Sequence, residues 1–343
     1  MRTLGQLLGL TVFAGAFLAC ADTTEPGLGP VQIAFSRADN DGAPSALYVV
    51  GEDGRNPTQL VPDAFAGALE WSPDGSKLLF VTNTNFNQTF VINADGTGRV
   101  TFATISYGAH WSPDGTRIAF TAPSFLNSPH RIGLMNPDGT NESFIGDGTT
   151  NDLLGSWSPD GSKIVFSRVS GTTQEIWEIW VTAPDGSSQV RLASSAASES
   201  EPLWSPDGTK IAFLQWYPDG RTAIFTINPD GSGETSITNE TEYSVTPSSL
   251  KWSPDGQRIA FTTNSTAHAQ IWIVNADGTG AQTLTAPAYD SDAPDWSPDG
   301  TQLVFSSNRD GHRQLYKMNA DGTNQTRFVT STTSDRLPLW RPR

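Results

Sequence analysis

The pentapeptide WSPDG stands at 71–75 and returns at 111–115, 157–161, 204–208, 252–256 and 296–300. A further tryptophan opens the terminal WRPR at 340–343, without the turn that follows the others. The seven tryptophans Trp71, Trp111, Trp157, Trp204, Trp252, Trp296 and Trp340 lie 40, 46, 47, 48, 44 and 44 residues apart. A period of that length belongs to solenoids and propellers, in which no unit can bury its apolar face alone.

Each unit has the same internal order. After WSPDG comes a short apolar run such as LLF (78–80) or IAF (118–120), then a variable polar loop. A second apolar run, such as IWIVN (271–275), leads into ADGT or PDGS, and a weaker segment such as AQTLT (281–285) follows. Runs of four to six Val, Ile, Phe and Trp residues between Asp-Gly turns predict four hairpin-linked strands per unit. No segment carries a sustained helical period, so the fold class is all-β. Within SPDG, proline presets φ at the second turn position, and glycine supplies the left-handed residue that returns the chain. Single Asp-Gly turns in separate units do not converge the several oxygens that calcium needs, so no metal and no cofactor are expected.

Pro202, Pro294 and Pro338 each stand two residues before a repeat tryptophan. Proline inside a sheet is confined to edges, which makes the tryptophan strand the innermost edge of each blade. The phase of the repeat gives the blade count. The first apolar run, IAF (33–35), has no WSPDG before it, and Trp340 has no strands after it. Three strands at the start and one at the end make one shared blade. With six complete units this predicts a seven-bladed β-propeller of four-stranded antiparallel blades. The C-terminal strand closes the ring beside the N-terminal strands and removes the open edges.

The chain has 343 residues, of which 36% are hydrophobic and 17% charged, a composition that supports a large core. Its net charge of -15 repels phosphate backbones and argues against nucleic acid as a partner. Arg2 followed by the apolar run 4–19 has the form of a signal peptide, so 1–19 is excluded from the fold. The lone cysteine, Cys20, directly follows that run in FLAC, a lipobox-like sequence that points to lipidation. The alternative is ordinary cleavage after ACA (19–21). Residues 20–30 are expected to form a flexible tether, and 31–343 the propeller. The expected product is an exported monomer, in the periplasm or on the outer membrane, touching membrane only through its N-terminal lipid.

The stretch WSPDG…IAF…IWIVNADGTGAQTLT (252–285) resembles the WD40-like PD40 repeat of TolB and its relatives, and the resemblance covers 31–343. It implies a binding or scaffold module of the cell envelope, whose partner would be an envelope protein or peptide such as a Pal-like lipoprotein. TolB-type proteins carry an α/β domain ahead of a six-bladed propeller; this chain departs on both counts. Similar repeats form the propellers of prolyl-oligopeptidase-like peptidases and oligogalacturonate lyases. No G-x-S-x-G elbow is present, which argues against a serine hydrolase.

No catalytic residue is assigned. SPDG and ADG turns are short and nearly invariant within the chain, and they fall on one face. Second-to-third-strand loops and blade links vary, fall on the opposite face, and are where binding is expected. Candidate binding residues on that face and in the channel are Glu70, Tyr107, His110, Asp152, Glu201, Lys251, Asp292, Asp295 and Arg336. Phe65, Phe86, Trp216, Tyr217, Tyr243 and Tyr289 are expected among the acids of the variable loops. Aromatics with acids suit a peptide, a basic protein segment or a sugar. The alternative to a non-catalytic scaffold is a polysaccharide-acting lyase or hydrolase using His110 and channel acids.

Overall fold

The computed structural model describes residues 32–38, 45–82, 88–105, 108–122, 129–170, 176–193, 197–238, 250–264 and 267–342; side chains are described at all of these except 45, 63–68, 82 and 103–105. Twenty-seven strands form one seven-stranded and five four-stranded antiparallel sheets, with no helix among the described residues. One strand, Thr58–Trp71, runs on for 14 residues and serves two blades. Its first part pairs with Ser45–Gly51 and its last part with Lys77–Thr82, so the seven-stranded sheet is two blades sharing a strand. Counted that way, the chain is a seven-bladed propeller.

In the five separate sheets the tryptophan strand is an edge, as the prolines require. The ring closes where Ser334–Trp340 pairs antiparallel with Gln32–Ala38. Lys317 of the last complete blade reaches across this closure. Its ammonium lies 4.5 Å from the centre of the Trp340 ring and donates to the Glu52 carbonyl at 2.8 Å.

Each blade is built on one buried phenylalanine of the second strand: Phe35, Phe80, Phe120, Phe166, Phe213, Phe261 or Phe305, all fully buried. In six blades its cross-strand partner is aromatic: Tyr48, Phe90, Trp180, Phe225, Trp272 or Tyr316. Four of these pairs stack with centroids 5.3–5.8 Å apart, an offset geometry worth about 1 kcal/mol beyond area burial. The Trp111 blade differs. Gly133 faces Phe120, and a Cβ there would meet the ring at 2.2 Å; Phe144 packs edge-on at 6.2 Å instead.

The repeat tryptophans are all buried and belong to packed clusters that fill the blade interfaces. Burial of each stabilises the ring by roughly 2–3 kcal/mol. Four of them also tie neighbouring blades together. The indole N–H groups of Trp71, Trp157, Trp252 and Trp296 donate to the carbonyls of Leu339, His110, Leu203 and Lys251, at 3.0–3.4 Å. In each case the acceptor directly precedes a repeat tryptophan of another blade.

The SPDG turns are self-contained. Ser158 donates its hydroxyl to Asp160 at 2.6 Å and accepts the Lys163 backbone N–H at 2.9 Å, while Asp160 accepts the Ser162 N–H at 3.0 Å. The same bonds recur at Ser72, Ser112, Ser205, Ser253 and Ser297. Adjacent turns touch, since a Cβ on Gly115, Gly161, Gly208 or Gly300 would lie 3.5–3.8 Å from the proline of a neighbouring turn. In the seventh blade Arg341 replaces the turn. Its guanidinium packs against Gly75 and over Trp71, and its backbone N–H donates to Gln32.

Candidate functional site

Four of the polar residues that directly precede repeat tryptophans interact in pairs between adjacent blades. Glu70 and His110, on adjacent blades, meet at 3.0 Å through Oε2 and Nδ1. Lys251 and Asp295, also on adjacent blades, stand 3.8 Å apart. Glu201 and Lys251, on blades two and three places away from its own, also act electrostatically on His110. Ser156 and Asp295 bond the next inner strand: their side-chain oxygens accept the backbone N–H groups of Trp204 and Trp340 at 2.9 and 2.8 Å.

Water reaches this ring, yet protein surrounds it. The His110 side chain is 40% exposed and that of Asp295 only 13%. Burial pulls the imidazole down, but Glu70 outweighs it with help from Glu201 against Lys251, so His110 titrates above the ordinary histidine range. Burial pushes the Asp295 carboxyl up to about 6, against the pull of Lys251 and of the Trp340 and Trp296 N–H groups.

Nearer the variable face, three inner strands carry the same bulge. Glu201, Ala293 and Leu337 take left-handed φ values of 55°, 51° and 51°, each just before the proline that precedes the tryptophan. A non-glycine residue pays roughly 1–2 kcal/mol for that conformation. The bulge leaves Glu201 and Leu337 exposed. Arg336 is half-buried next to Leu337.

Asp152, expected to bind on the variable face or in the channel, is instead buried, and so is its counterpart Asp335. Asp152 is 2% exposed and receives both Nε and Nη2 of Arg168 at 2.7 Å. Asp335 is fully buried and receives the Arg37 fork at 2.6 and 2.9 Å. Each acid stands five residues before its tryptophan and each arginine two after the blade phenylalanine, so the pairs are equivalent braces in two blades. In each pair the arginine comes from the next strand and becomes visible only through the register.

Asp292 remains partly exposed and borders a cavity of about 350 Å³ between the Trp252 and Trp296 blades. Its walls are Thr262, Asn264, Ala267, Ala269, Asp290, Asp292 and Arg313. Sequence reasoning missed Asp290, Asn264 and Arg313, which belong to three different strands or loops. Trp216 and Tyr217 are half-buried, bonded to Ser200 and Gln215, whereas Tyr289 is 39% exposed. Tyr107, Phe86, Tyr243 and Cys20 lie outside the described residues, as does the side chain of Phe65. Among the described residues no three His, Cys, Asp or Glu side chains gather as a metal site.

The fold and its channel define a closed seven-bladed propeller with one uniform and one variable face. The chain belongs to the TolB β-propeller family, PD40, whose model matches residues 26–183 and 177–343. No curated protein matches it. Among solved structures it is similar to TolB from Acinetobacter baumannii, with 18% identity and a TM-score of 0.56 over 91% of this chain and 82% of that one. It is also similar to an oligogalacturonate lyase from Vibrio parahaemolyticus, with 16% identity and a TM-score of 0.61 over 89% and 86%. A third likeness is the β-propeller domain of the trilobed protease from Pyrococcus furiosus, with 12% identity and a TM-score of 0.64 over 89% and 93%. At these identities the likeness is one of fold.

Proposed function

We propose that this chain is an exported, lipid-anchored propeller that acts as a non-catalytic docking scaffold for a protein or peptide in the bacterial cell envelope. The observation that supports this most is the contrast between its faces. On the uniform face the turn aspartates are consumed by hydrogen bonds within their own turns. On the variable face and in the channel, charged side chains from different blades are held in place yet reachable by water. A rigid ring presenting fixed charges and exposed Leu337 at its mouth suits recognition of an extended segment, and family membership with TolB agrees with it. The docked partner would be an outer-membrane or peptidoglycan-linked protein, such as a Pal-like lipoprotein.

The test is capture from envelope extract on the immobilised propeller, beside Lys251→Glu. One envelope protein held by the wild type and lost from the variant is expected. Recovery of none, or of one indifferent to the variant, would sink the proposal. A second reading is favoured by the Glu70–His110 contact, in which a carboxylate orients an imidazole as for a general base. Under it the chain would be a polysaccharide-acting lyase or hydrolase, checked by release of reducing ends from polygalacturonate with and without His110→Ala.

A further inference from the structure

We infer that, given the lipid anchor of the docking proposal carried by Cys20, the uniform face of the ring is held towards the bilayer and the variable face is turned away from it. What decides the orientation is the point at which the chain enters the ring. Gln32 opens the second strand of the shared blade and pairs with Gly51, where the turn Gly51–Gly54 begins. That turn belongs to the uniform face: Gly54 is left-handed at φ 71°, as Gly96, Gly186 and Gly278 are in the equivalent ADG and PDG turns. The Gln32 carbonyl accepts the Arg341 N–H at 2.9 Å, and Arg341 seats on Gly75 of an SPDG turn. Gln32 therefore lies among uniform-face turns.

Twelve residue steps lead from Cys20 to Gln32, and even fully extended they span only about 40 Å. Lipid below the uniform face lies directly within that reach. The opposite orientation requires the segment to round the blade. The closing strand Ser334–Trp340 stands between Gln32 and the channel, so the way round runs outwards. It crosses two further strands, Ser45–Gly51 and the first part of Thr58–Trp71, at about 5 Å each. It then climbs the blade, whose height follows from the equivalent strand Gln302–Asp310, nine residues or about 27 Å long. The two legs use nearly the whole reach before any side chain at the rim is rounded.

The face turned to the bilayer is acidic. Its outer turns carry exposed aspartates such as Asp95, Asp138, Asp230 and Asp277, which the Thr or Ser hydroxyl two residues on holds below the usual carboxylate range and so ionised at neutral pH. Like charge keeps these turns off anionic headgroups, so the lipid at Cys20 is the membrane contact. Leu337 and the channel mouth then face the aqueous side. The docked partner is one whose binding segment stands clear of the anchoring bilayer, as in a peptidoglycan-linked protein, and not one embedded in the same leaflet.

The test uses the lipidated full chain in phosphatidylcholine vesicles that carry a headgroup-linked fluorescence acceptor. A donor dye is placed on one engineered thiol: Gln257→Cys, beside an SPDG turn, or His312→Cys, at a variable-face hairpin, both at exposed positions. The chain has one cysteine, and diacylglyceryl on its sulfur leaves the dye no other thiol. Donor quenching in Gln257→Cys should exceed that in His312→Cys at least about twofold, the two sites being separated by roughly the height of a blade. Inserting about 24 Gly and Ser residues after Pro30 should erase the difference, because the reach then exceeds the way round the blade. Equal or reversed quenching would overturn the inference, as would a difference that survives the insertion unchanged. Uptake of dye by the parent chain would show an unmodified Cys20, and lipid anchoring would fall together with the inference. In a chain that takes up none, wrong quenching overturns the orientation alone.

Discussion

Cutting the chain after Thr333 removes the strand that closes the ring. Three losses can be sized. Trp340 is 5% exposed among Ile33, Phe35, Val50, Val304, Leu315 and Val329, and losing such a side chain costs about 3–5 kcal/mol. Asp335 is fully buried against Arg37, and removing one partner of such a pair costs about 3–5 kcal/mol. Arg341 no longer seats on Gly75, and the Gln32–Ala38 strand loses its ladder. Because these groups share one strand their costs do not add, and about 5 kcal/mol is a conservative sum. Total stabilities run about 5–15 kcal/mol, and each kcal/mol moves the melting point of a large domain by about 2–4 °C. Thermal melts by circular dichroism should therefore show the truncated chain at least about 10 °C below the full one. A synthetic peptide of residues 334–343, added in excess, should restore part of the loss by refilling the site. A truncated chain melting within about 2 °C of the parent, or one indifferent to the peptide, would refute ring closure as a source of stability.

Further outcomes are expected. Hydrogen bonds from Ser158 and Ser162 hold Asp160 down to about 2, below its unfolded value of 3.8. Its contribution is present above 3.8 and is lost as pH falls towards 2; Ser158→Ala should cost about 1 kcal/mol at pH 7 and less at pH 2, measured by urea denaturation. Asp295, pushed up to about 6 by burial, takes up a proton on folding. That contribution is full below 3.8 and lost as pH rises through about 6, so wild type should gain on Asp295→Asn between pH 7 and 4 in parallel denaturations. Gly133→Val should destabilise by roughly 1–3 kcal/mol, because its Cβ would collide with Phe120, and a neutral effect on the melt would contradict the packing. Cys20→Ser should move the protein from the membrane to the soluble fraction, with continued retention counting against lipidation.

The repeat carried most of the fold. Tryptophan spacing, Asp-Gly turns and the prolines before Trp204, Trp296 and Trp340 were enough to derive seven blades, their inner edges and the closure. These features are local: a turn is specified by its own four residues, and a proline excludes ladder pairing wherever it stands. The shared strand Thr58–Trp71 was not legible, because continuous extended backbone between two blades leaves no turn signature. For the candidate site, the sequence gathered Glu70, His110, Lys251 and Asp295 by their common position before a tryptophan. It could not tell that they pair, since each pair joins residues 40 or 44 positions apart on separate blades. Asp152 and Asp292 looked alike as acids ahead of a tryptophan. Only the assembled structure buried Asp152 against Arg168 and left Asp292, though paired with Arg313, partly exposed at a cavity wall. Periodicity determines architecture because every unit repeats the same local instruction. The partner of each charge is decided between units, where blades meet, and only the assembled ring brings those surfaces together.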